Sequence, residues 1–126
     1  MTNKEKLQVW GDEFKDEINE LVGLCHGLSR EAGWHDKPRE TGTMLALIHS
    51  EVSEALEGYR KDLNDDHLKH RKMAEVELAD AVIRICDLAG ASGFDLGGAL
   101  VEKLEYNTRR LDHKPENRNK EGGKKF

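Results

Sequence analysis

An all-α protein is predicted from three properties of this 126-residue sequence. Apolar residues recur every three or four positions along most of the chain, which is the period of a helix with one buried face. Charged residues make up 36% and hydrophobic residues 37% of the sequence, a balance that suits amphipathic helices. There are only two prolines and no strongly alternating stretches. We therefore expect a bundle of four or five helices that forms a single domain over residues 1–111.

The first helix is predicted from a long apolar series that ends at two helix breakers. Gly33 and then Pro38 follow the last apolar position and stop the helix, whereas Gly23 and Gly27 only weaken it. The repeating apolar positions are Leu7, Trp10, Phe14, Ile18, Leu21, Val22, Cys25 and Leu28. The loop that follows, residues 33–42, is rich in aromatic and basic side chains: Trp34, His35, Lys37 and Arg39.

Two further helices flank a polar segment, residues 61–71. The second helix is expected to begin near Thr41 or Thr43, because either residue can cap it. Its apolar face consists of Leu45, Ile48, Val52, Ala55, Leu56 and Tyr59. The third helix starts at about Lys72 and is stopped by Gly90 and Gly93. Its centre, residues 78–89, is apolar nearly all round, which favours a central position or a subunit interface.

Asp95 is placed to cap a fourth helix that runs to about Leu111. Its expected buried side consists of Leu96, Leu100, Leu104 and Leu111. Residues 112–126 carry five Lys or Arg against three acids and are expected to form an extended polar tail. The tail lysines are candidates for folding back onto a phosphate site, and solubility explains their charge equally well.

Composition limits the classes of partner. The net charge of −5 gives no overall attraction to a nucleic acid polymer or to an anionic membrane. No stretch of about 18 apolar residues is present, and the N-terminal residues lack the apolar run of a signal peptide. Cys25 and Cys86 are far apart in the chain and are expected to be small buried hydrophobes. We therefore expect a cytoplasmic protein.

Two acidic pairs at helical spacing form the candidate site. Glu51 and Glu54 form one pair, and Glu77 and Asp80 form another after an interval of 22 residues. Residues three apart on a helix point to the same side, so two antiparallel helices can bring both pairs together. A site made of carboxylate oxygens selects Mg²⁺ or Mn²⁺ over zinc or copper. The sequence therefore predicts a hard divalent cation between the second and third helices.

Solvated helix faces also carry acids three or four apart, and this reading competes with the metal site. The average composition predicts six acidic residues in the thirty positions from 51 to 80, and nine are present, so density alone does not decide. Placement favours a site, because Asp80 lies between Ala79 and Ala81 in the most apolar segment. The remaining acids are expected in solvent: Glu57, Asp62, Asp65, Asp66 and Glu75.

A di-iron carboxylate site is the chemical competitor. Such sites use Glu-x-x-His pairs on two helices, and none of the six histidines lies three residues after a glutamate. His49 lies two residues before Glu51, on another side of the helix, and is expected to make a local hydrogen bond.

The last helix carries a polar stripe. Lys103, Tyr106, Asn107 and Arg110 share one helix face. Lys and Arg hold polyphosphate oxygens, and Asn can contact a sugar hydroxyl or a base edge. A salt-bridged outer face is the alternative, which becomes weaker if a cation site lies beside it.

Three segments together resemble the MazG-type nucleotide pyrophosphohydrolases. They are residues 45–57 (LALIHSEVSEALE), 77–80 (ELAD) and 103–110 (KLEYNTRR). The similarity spans roughly residues 44–110 and includes the E-x-x-E, spacer, E-x-x-D pattern of the all-α NTP pyrophosphatase superfamily, which also contains dimeric dUTPases. The resemblance implies that the chain binds Mg²⁺ and hydrolyses nucleoside triphosphates to monophosphate and pyrophosphate, as a homodimer or a dimer of dimers.

The resemblance also implies residue roles. Glu51, Glu54, Glu77 and Asp80 would bind the metal, and Lys103, Asn107 and Arg110, with Tyr106 beside them, would contact phosphate or sugar. Glu54 is preferred as general base, because it can keep one lone pair for water. Base recognition does not carry over from the resemblance, because the loop with Trp34 belongs to the variable part of the family. Trp34 is a separate candidate for stacking on the base, with core packing as the alternative. The rival class is a non-catalytic helical interaction protein that pairs through its apolar third helix.

Overall fold

The computed structural model describes residues 1–110 and 115–123, apart from the side chains of residues 117 and 118. The described helices are α1 (Asn3–Glu31), α2 (Thr41–Arg60), α3 (Met73–Ser92), α4 (Leu96–Arg109) and α5 (Pro115–Arg118). Within these residues, β structure is limited to one isolated bridge between Asn64 and Lys72. The all-α prediction is confirmed.

Local signals set most helix ends as predicted. Gly33 adopts a φ of 87° just beyond α1, and Gly93 adopts a φ of 69° at the end of α3, a region that favours glycine. Asp95 caps α4 by accepting a hydrogen bond from the Gly98 N–H at 2.8 Å. Gly90, in contrast, does not stop α3, since it lies inside the helix.

The N-cap residue of α2 was predicted incorrectly. Glu40, and neither Thr41 nor Thr43, is the N-cap residue of this helix. Its carboxylate accepts hydrogen bonds from the N–H groups of Gly42 and Thr43 at 2.8 and 2.7 Å. The carboxylate also accepts a hydrogen bond from the Thr43 hydroxyl. This bond first, and then the two backbone bonds, lower the pKa of Glu40. The glutamate side chain therefore has the N-capping role that a threonine often has.

The helices group into two compact units. The first combines Met1–Asn19 with the chain from Asp95 onward. In this unit Asn19 links α1 to the start of α4: its Nδ2 donates to Asp95 at 2.8 Å and its Oδ1 accepts from the Gly97 N–H at 2.8 Å. A Cβ added to Gly97 would lie 2.3 Å from the backbone oxygen of Lys15, so the close approach at this position requires glycine.

The second unit is Glu20–Phe94, and it contains the helix pair α2 and α3. The two helices run antiparallel, because Gly58 near the end of α2 lies against Met73 at the start of α3 while Glu51 lies against Arg84. On the other side of α3, Gly90 packs against His26 of α1. The buried apolar residues of this unit are Val22, Cys25, Met44, Ala55, Ala81, Cys86 and Ala89. Both cysteines are buried thiols, as predicted.

Several apolar faces expected to be buried are exposed in the single chain. On α2, Val52, Leu56 and Tyr59 are 49%, 52% and 80% exposed. On α3, Leu78 and Val82 are 53% and 47% exposed. The apolar face of α2 is therefore not covered within the single chain, and α3 is not buried on all sides.

The fourth helix and the tail also differ from expectation. Leu100 and Leu104 are exposed, although they were predicted to form the buried side of α4. Val101 is buried instead and lies against Gly11 of α1. Leu111 lies outside the described residues. The segment expected to be an extended tail contains the short helix α5. No helix in the described part of the chain is long and apolar enough to cross a membrane.

Candidate functional site

Three of the four predicted metal ligands converge where α2 packs on α3. One carboxylate oxygen from each of Glu51, Glu77 and Asp80 lies within 4.8 Å of the other two. We call these three residues the acidic cluster. All three are partly buried. Glu54 is exposed and does not belong to this close group, although its charge raises the pKa of Glu77.

The carboxylates of the acidic cluster shift one another's pKa values. The pKa of Glu77 is raised to about 7, first by its hydrogen bond with Glu51, then by burial and by the charges of Glu51, Asp80 and Glu54. The same hydrogen bond lowers the pKa of Glu51. Burial, followed by the charge of Glu51, raises the pKa of Asp80. The negative charges that these carboxylates bring together favour the binding of a cation.

Arg84 is a neighbour of the acidic cluster that was not predicted. Its Nε donates a hydrogen bond to Glu51 at 2.9 Å, and its guanidinium carbon lies 5.7 Å from the centre of the Trp34 ring. Arg84 follows Asp80 by four residues, which places both on one face of α3. That spacing was the available sequence signal. The loop residue Trp34 is therefore linked to the acidic cluster through one side chain.

Trp34 itself is 46% exposed, so it is not a core residue. Its ring is also 5.8 Å from the guanidinium carbon of Arg39. One part of Trp34 lines an apolar cavity of about 360 Å³. The other residues that line this cavity are Leu21, Leu24, Cys25, Leu28, Ser29, Ala32 and Ile83.

Among the other acids, Glu57 and Asp65 were expected in solvent but are partly buried. The charge of Asp65 also raises the pKa of Asp80. Its carboxylate accepts hydrogen bonds from the N–H groups of His67 and Leu68, which fixes it in the turn before α3. His49 is exposed and is not among the residues of the acidic cluster, as expected.

The polar stripe on α4 contains one unusual atom. Asn107 Oδ1 is buried and has no hydrogen-bond partner within the described part of the chain. The ring of Tyr106 lies between two cations, with Lys103 Nζ at 4.8 Å and the Arg110 guanidinium carbon at 5.9 Å from its centre. Lys103 and Tyr106 are exposed. A buried acceptor without a donor is costly, so Asn107 is suited to accept a hydrogen bond from a ligand.

A second polar group is centred on Asp87 of α3 and was not predicted. Asp87 is only 2% exposed. Ser29 Oγ at 2.5 Å, His26 Nδ1 at 2.9 Å and His35 Nε2 at 2.8 Å all contact its Oδ1. Arg39 Nη1 lies 3.5 Å from its Oδ2. We call these five residues the Asp87 cluster.

The Asp87 cluster ties the α1–α2 loop to α3, because His35 and Arg39 flank Trp34 in that loop. Burial alone would raise the pKa of Asp87, but hydrogen bonds from Ser29, His26 and His35 outweigh it and lower the pKa. The sequence feature that could have indicated this cluster is the position of Asp87, an acidic residue, within the apolar centre of α3. Nothing in the sequence indicated its partners, which lie 48 to 61 positions away in the chain.

Searches against protein-family models, curated proteins and solved structures found no match to this chain. The described residues define an all-α protein with a carboxylate cluster between two antiparallel helices.

Proposed function

We propose that this protein hydrolyses nucleoside triphosphates, in their ribo or deoxy form, to the monophosphate and pyrophosphate in a Mg²⁺-dependent reaction. The single observation that carries the proposal is the convergence of Glu51, Glu77 and Asp80 within 4.8 Å. These residues come from two of the three segments on which the sequence resemblance rests. A solvated helix face would explain the spacing of these acids along the chain. It would not explain why three carboxylates from two helices lie close together.

The acidic cluster fits the metal that the resemblance implies. All donors are carboxylate oxygens, which suit Mg²⁺, with Mn²⁺ as a substitute. Arg84 offsets only part of the negative charge of the three carboxylates, and a divalent cation would offset the rest. When bound, Mg²⁺ would neutralise phosphate oxygens and lower the pKa of a water molecule. Glu51, Glu77 and Asp80 would hold the ion, with Glu54 as the fourth ligand of the motif.

The residues around the acidic cluster have distinct tasks in this proposal. Glu54 is exposed and outside the close group of oxygens, so it is the residue best able to accept a proton from the attacking water. Arg84 holds Glu51 in one orientation through its hydrogen bond. Glu51 and Glu54 are thus the catalytic pair that we propose.

The substrate contacts proposed from the sequence are Trp34 and, separately, the α4 stripe. Trp34 offers a partly exposed ring for a base. On α4, Lys103 and Arg110 would bind phosphate oxygens, Tyr106 would hold these two cations in place, and Asn107 would accept a hydrogen bond from a sugar hydroxyl. The buried, unpartnered Oδ1 of Asn107 supports the last assignment.

We also propose that the protein is a homo-oligomer, a dimer or a dimer of dimers, located in the cytoplasm. The exposed Leu78 and Val82 of α3 and Val52 and Leu56 of α2 support an interface between copies. The buried thiols of Cys25 and Cys86 suit a reducing compartment. Sedimentation of the native chain and of Val82→Glu tests the assembly, since a charge in the interface would release monomers.

The experiment that tests the activity is a product assay with a panel of ribo-, deoxy- and modified nucleoside triphosphates. With Mg²⁺, we expect equal amounts of pyrophosphate and monophosphate, and none with a chelator. Glu51→Gln and Asp80→Asn should abolish turnover while retaining the helical circular dichroism spectrum. Glu75→Gln is the matched control, because Glu75 is an exposed acid on the same helix. Turnover that persists in both site variants would overturn the proposal.

A non-catalytic helical interaction protein is the second candidate, and the exposed apolar faces of α2 and α3 favour it. In that case the native chain would release no pyrophosphate from any nucleotide with Mg²⁺ or Mn²⁺. Val82→Glu would then be the variant that loses function, and Glu51→Gln would be silent.

A further inference from the structure

The Asp87 cluster contains three potential metal ligands that the proposed hydrolysis does not use. His26 comes from α1, His35 from the α1–α2 loop and Asp87 from α3. One ligand atom from each lies within 4.8 Å of the other two. The two imidazole rings meet edge to face, with their centres 4.8 Å apart and an angle of 76° between their planes. We propose that His26, His35 and Asp87 bind one divalent transition-metal ion, Zn²⁺ by preference, at a site separate from the acidic cluster.

Crowding at one oxygen is the first argument. Ser29 Oγ, His26 Nδ1 and His35 Nε2 all approach Asp87 Oδ1, at 2.5, 2.9 and 2.8 Å. His35 Nε2 also lies 3.1 Å from Oδ2, so its contact is divided between the two oxygens. Three groups still approach Oδ1, which offers two lone pairs, so they are not all well accommodated on it. With an ion between the rings and the carboxylate, each imidazole uses its own lone pair and the ion needs only one lone pair of Asp87. The hydroxyl of Ser29 then takes the other.

Donor chemistry decides the kind of ion. Two imidazole nitrogens and one carboxylate oxygen suit zinc and similar transition metals, whereas Mg²⁺ prefers oxygen ligands alone. Three protein ligands leave a fourth position for water or an external group. Nitrogen and oxygen ligands about 2.1 Å from a tetrahedral ion are separated from one another by about 3.4 Å. The contacts of 2.8 and 2.9 Å to Asp87 Oδ1 must therefore open by roughly half an ångström, which side-chain rotation can provide.

The surroundings resemble the outer shell of a metal site. Ser29 and Arg39 contact the carboxylate of Asp87 and fix its orientation, as hydrogen-bonding partners of metal ligands do. Arg39 is itself a cation 3.5 Å from Oδ2, so it lowers the affinity for a second positive charge. Glu31 and Asp36 act in the opposite direction, because they line an adjoining cavity of about 470 Å³ together with His35 and one cation, Arg30. That cavity offers a route by which an ion can reach His35.

The test uses the full chain without an affinity tag, stripped with a chelator and desalted. Co²⁺ is the probe, because a four-coordinate Co²⁺ ion absorbs visible light far more strongly than the six-coordinate ion that an all-oxygen site holds. We expect one strongly absorbing Co²⁺ per chain and its displacement by one equivalent of Zn²⁺. Asp87→Asn and His35→Gln should lose the strong bands. Ser29→Ala should retain them with about tenfold weaker affinity.

Two variants serve as matched controls. Glu77→Gln alters the acidic cluster and should leave the bands intact, which separates this site from the proposed catalytic one. His67→Gln removes an exposed histidine elsewhere and should also leave them intact. If Asp87→Asn does not fold, His35→Gln decides, because His35 lies in a loop. Strong bands that survive in His35→Gln, or that are absent from the native chain, would overturn the proposal and leave the Asp87 cluster as a hydrogen-bonded anchor. No nucleotide is required, so the outcome is independent of the proposed hydrolysis.

Discussion

Arg84 Nε donates a 2.9 Å hydrogen bond to Glu51, which makes Arg84 the cationic neighbour of the acidic cluster. The side chains of both residues are largely shielded from solvent, at 26% and 15% exposure. An ion pair in this position is less screened than one on the surface. It lowers the pKa of Glu51, after the larger effect of the hydrogen bond from Glu77.

Arg84→Met should destabilise the protein by about 1–2 kcal/mol at neutral pH, because Glu51 loses its charged donor while its acidic neighbours remain. Arg71→Met is the matched control. It breaks a 3.0 Å pair with Glu75 in which both side chains are more than half exposed, and it should cost less than about 0.5 kcal/mol. Urea unfolding of both variants measures the difference. Equal losses would mean that the position beside the acidic cluster carries no special electrostatic weight.

The raised pKa of Glu77 predicts a particular dependence of stability on pH. The folded chain holds a proton up to about pH 7, whereas an unfolded glutamate releases it near the ordinary value of 4.5. The free energy of unfolding should therefore fall as pH rises from 4.5 to 7, by about 1 kcal/mol after allowance for solvent screening. Thermal melts of native protein and Glu77→Gln across this range isolate the contribution, which the variant should lack.

Divalent cations should reverse this loss of stability. At pH 8, above the pKa of Glu77, Mg²⁺ should offset the charges of the acidic cluster and raise the melting temperature of the native chain. Glu77→Gln should gain much less from Mg²⁺. A Mg²⁺ effect of the same size in both proteins would show that the ion acts elsewhere.

Asn107 should show opposite effects on stability and binding. Asn107→Leu removes a buried acceptor that has no partner in the described structure and should stabilise the protein by about 1 kcal/mol. The same change should raise the KM for nucleotide about fivefold, since one hydrogen bond to the ligand is lost. Thr108→Val is the control, because the exposed Thr108 hydroxyl bonds only to a backbone oxygen of its own helix. An unchanged KM in Asn107→Leu would exclude Asn107 from the substrate contacts.

The contact between α1 and α3 depends on glycine at position 90. A Cβ there would lie 2.5 Å from the His26 Cβ, so Gly90→Ala should destabilise the second unit by about 1–3 kcal/mol. Gly23→Ala, at a helical position with nothing within 4 Å of the added carbon, should stabilise by up to about 1 kcal/mol. Denaturant unfolding measures both changes. A tolerated Gly90→Ala would mean that the two helices can separate at little cost.

Sequence patterns predicted those structural features well that depend on nearby residues. Gly33, Gly93 and Asp95 act on the backbone within a few residues, so they set the helix ends as expected. The meeting of Glu51 with Glu77 was also predictable, since acidic pairs at helical spacing come together when α2 and α3 run antiparallel. Glu40 was missed as a cap because its long side chain competes with better-known caps only in the folded loop.

Tertiary structure alone decided which groups meet over long distances in the chain. Asp87 gathers His26, His35 and Arg39 from a helix and a loop far from it in sequence, and Arg84 joins Trp34 to Glu51. Periodicity shows that a face is apolar, but not what covers it, so the exposure of Leu78 and Val82 could not be read from the pattern. The physical reason is that helix ends depend on nearby backbone atoms, whereas burial and ion pairing depend on how whole helices pack.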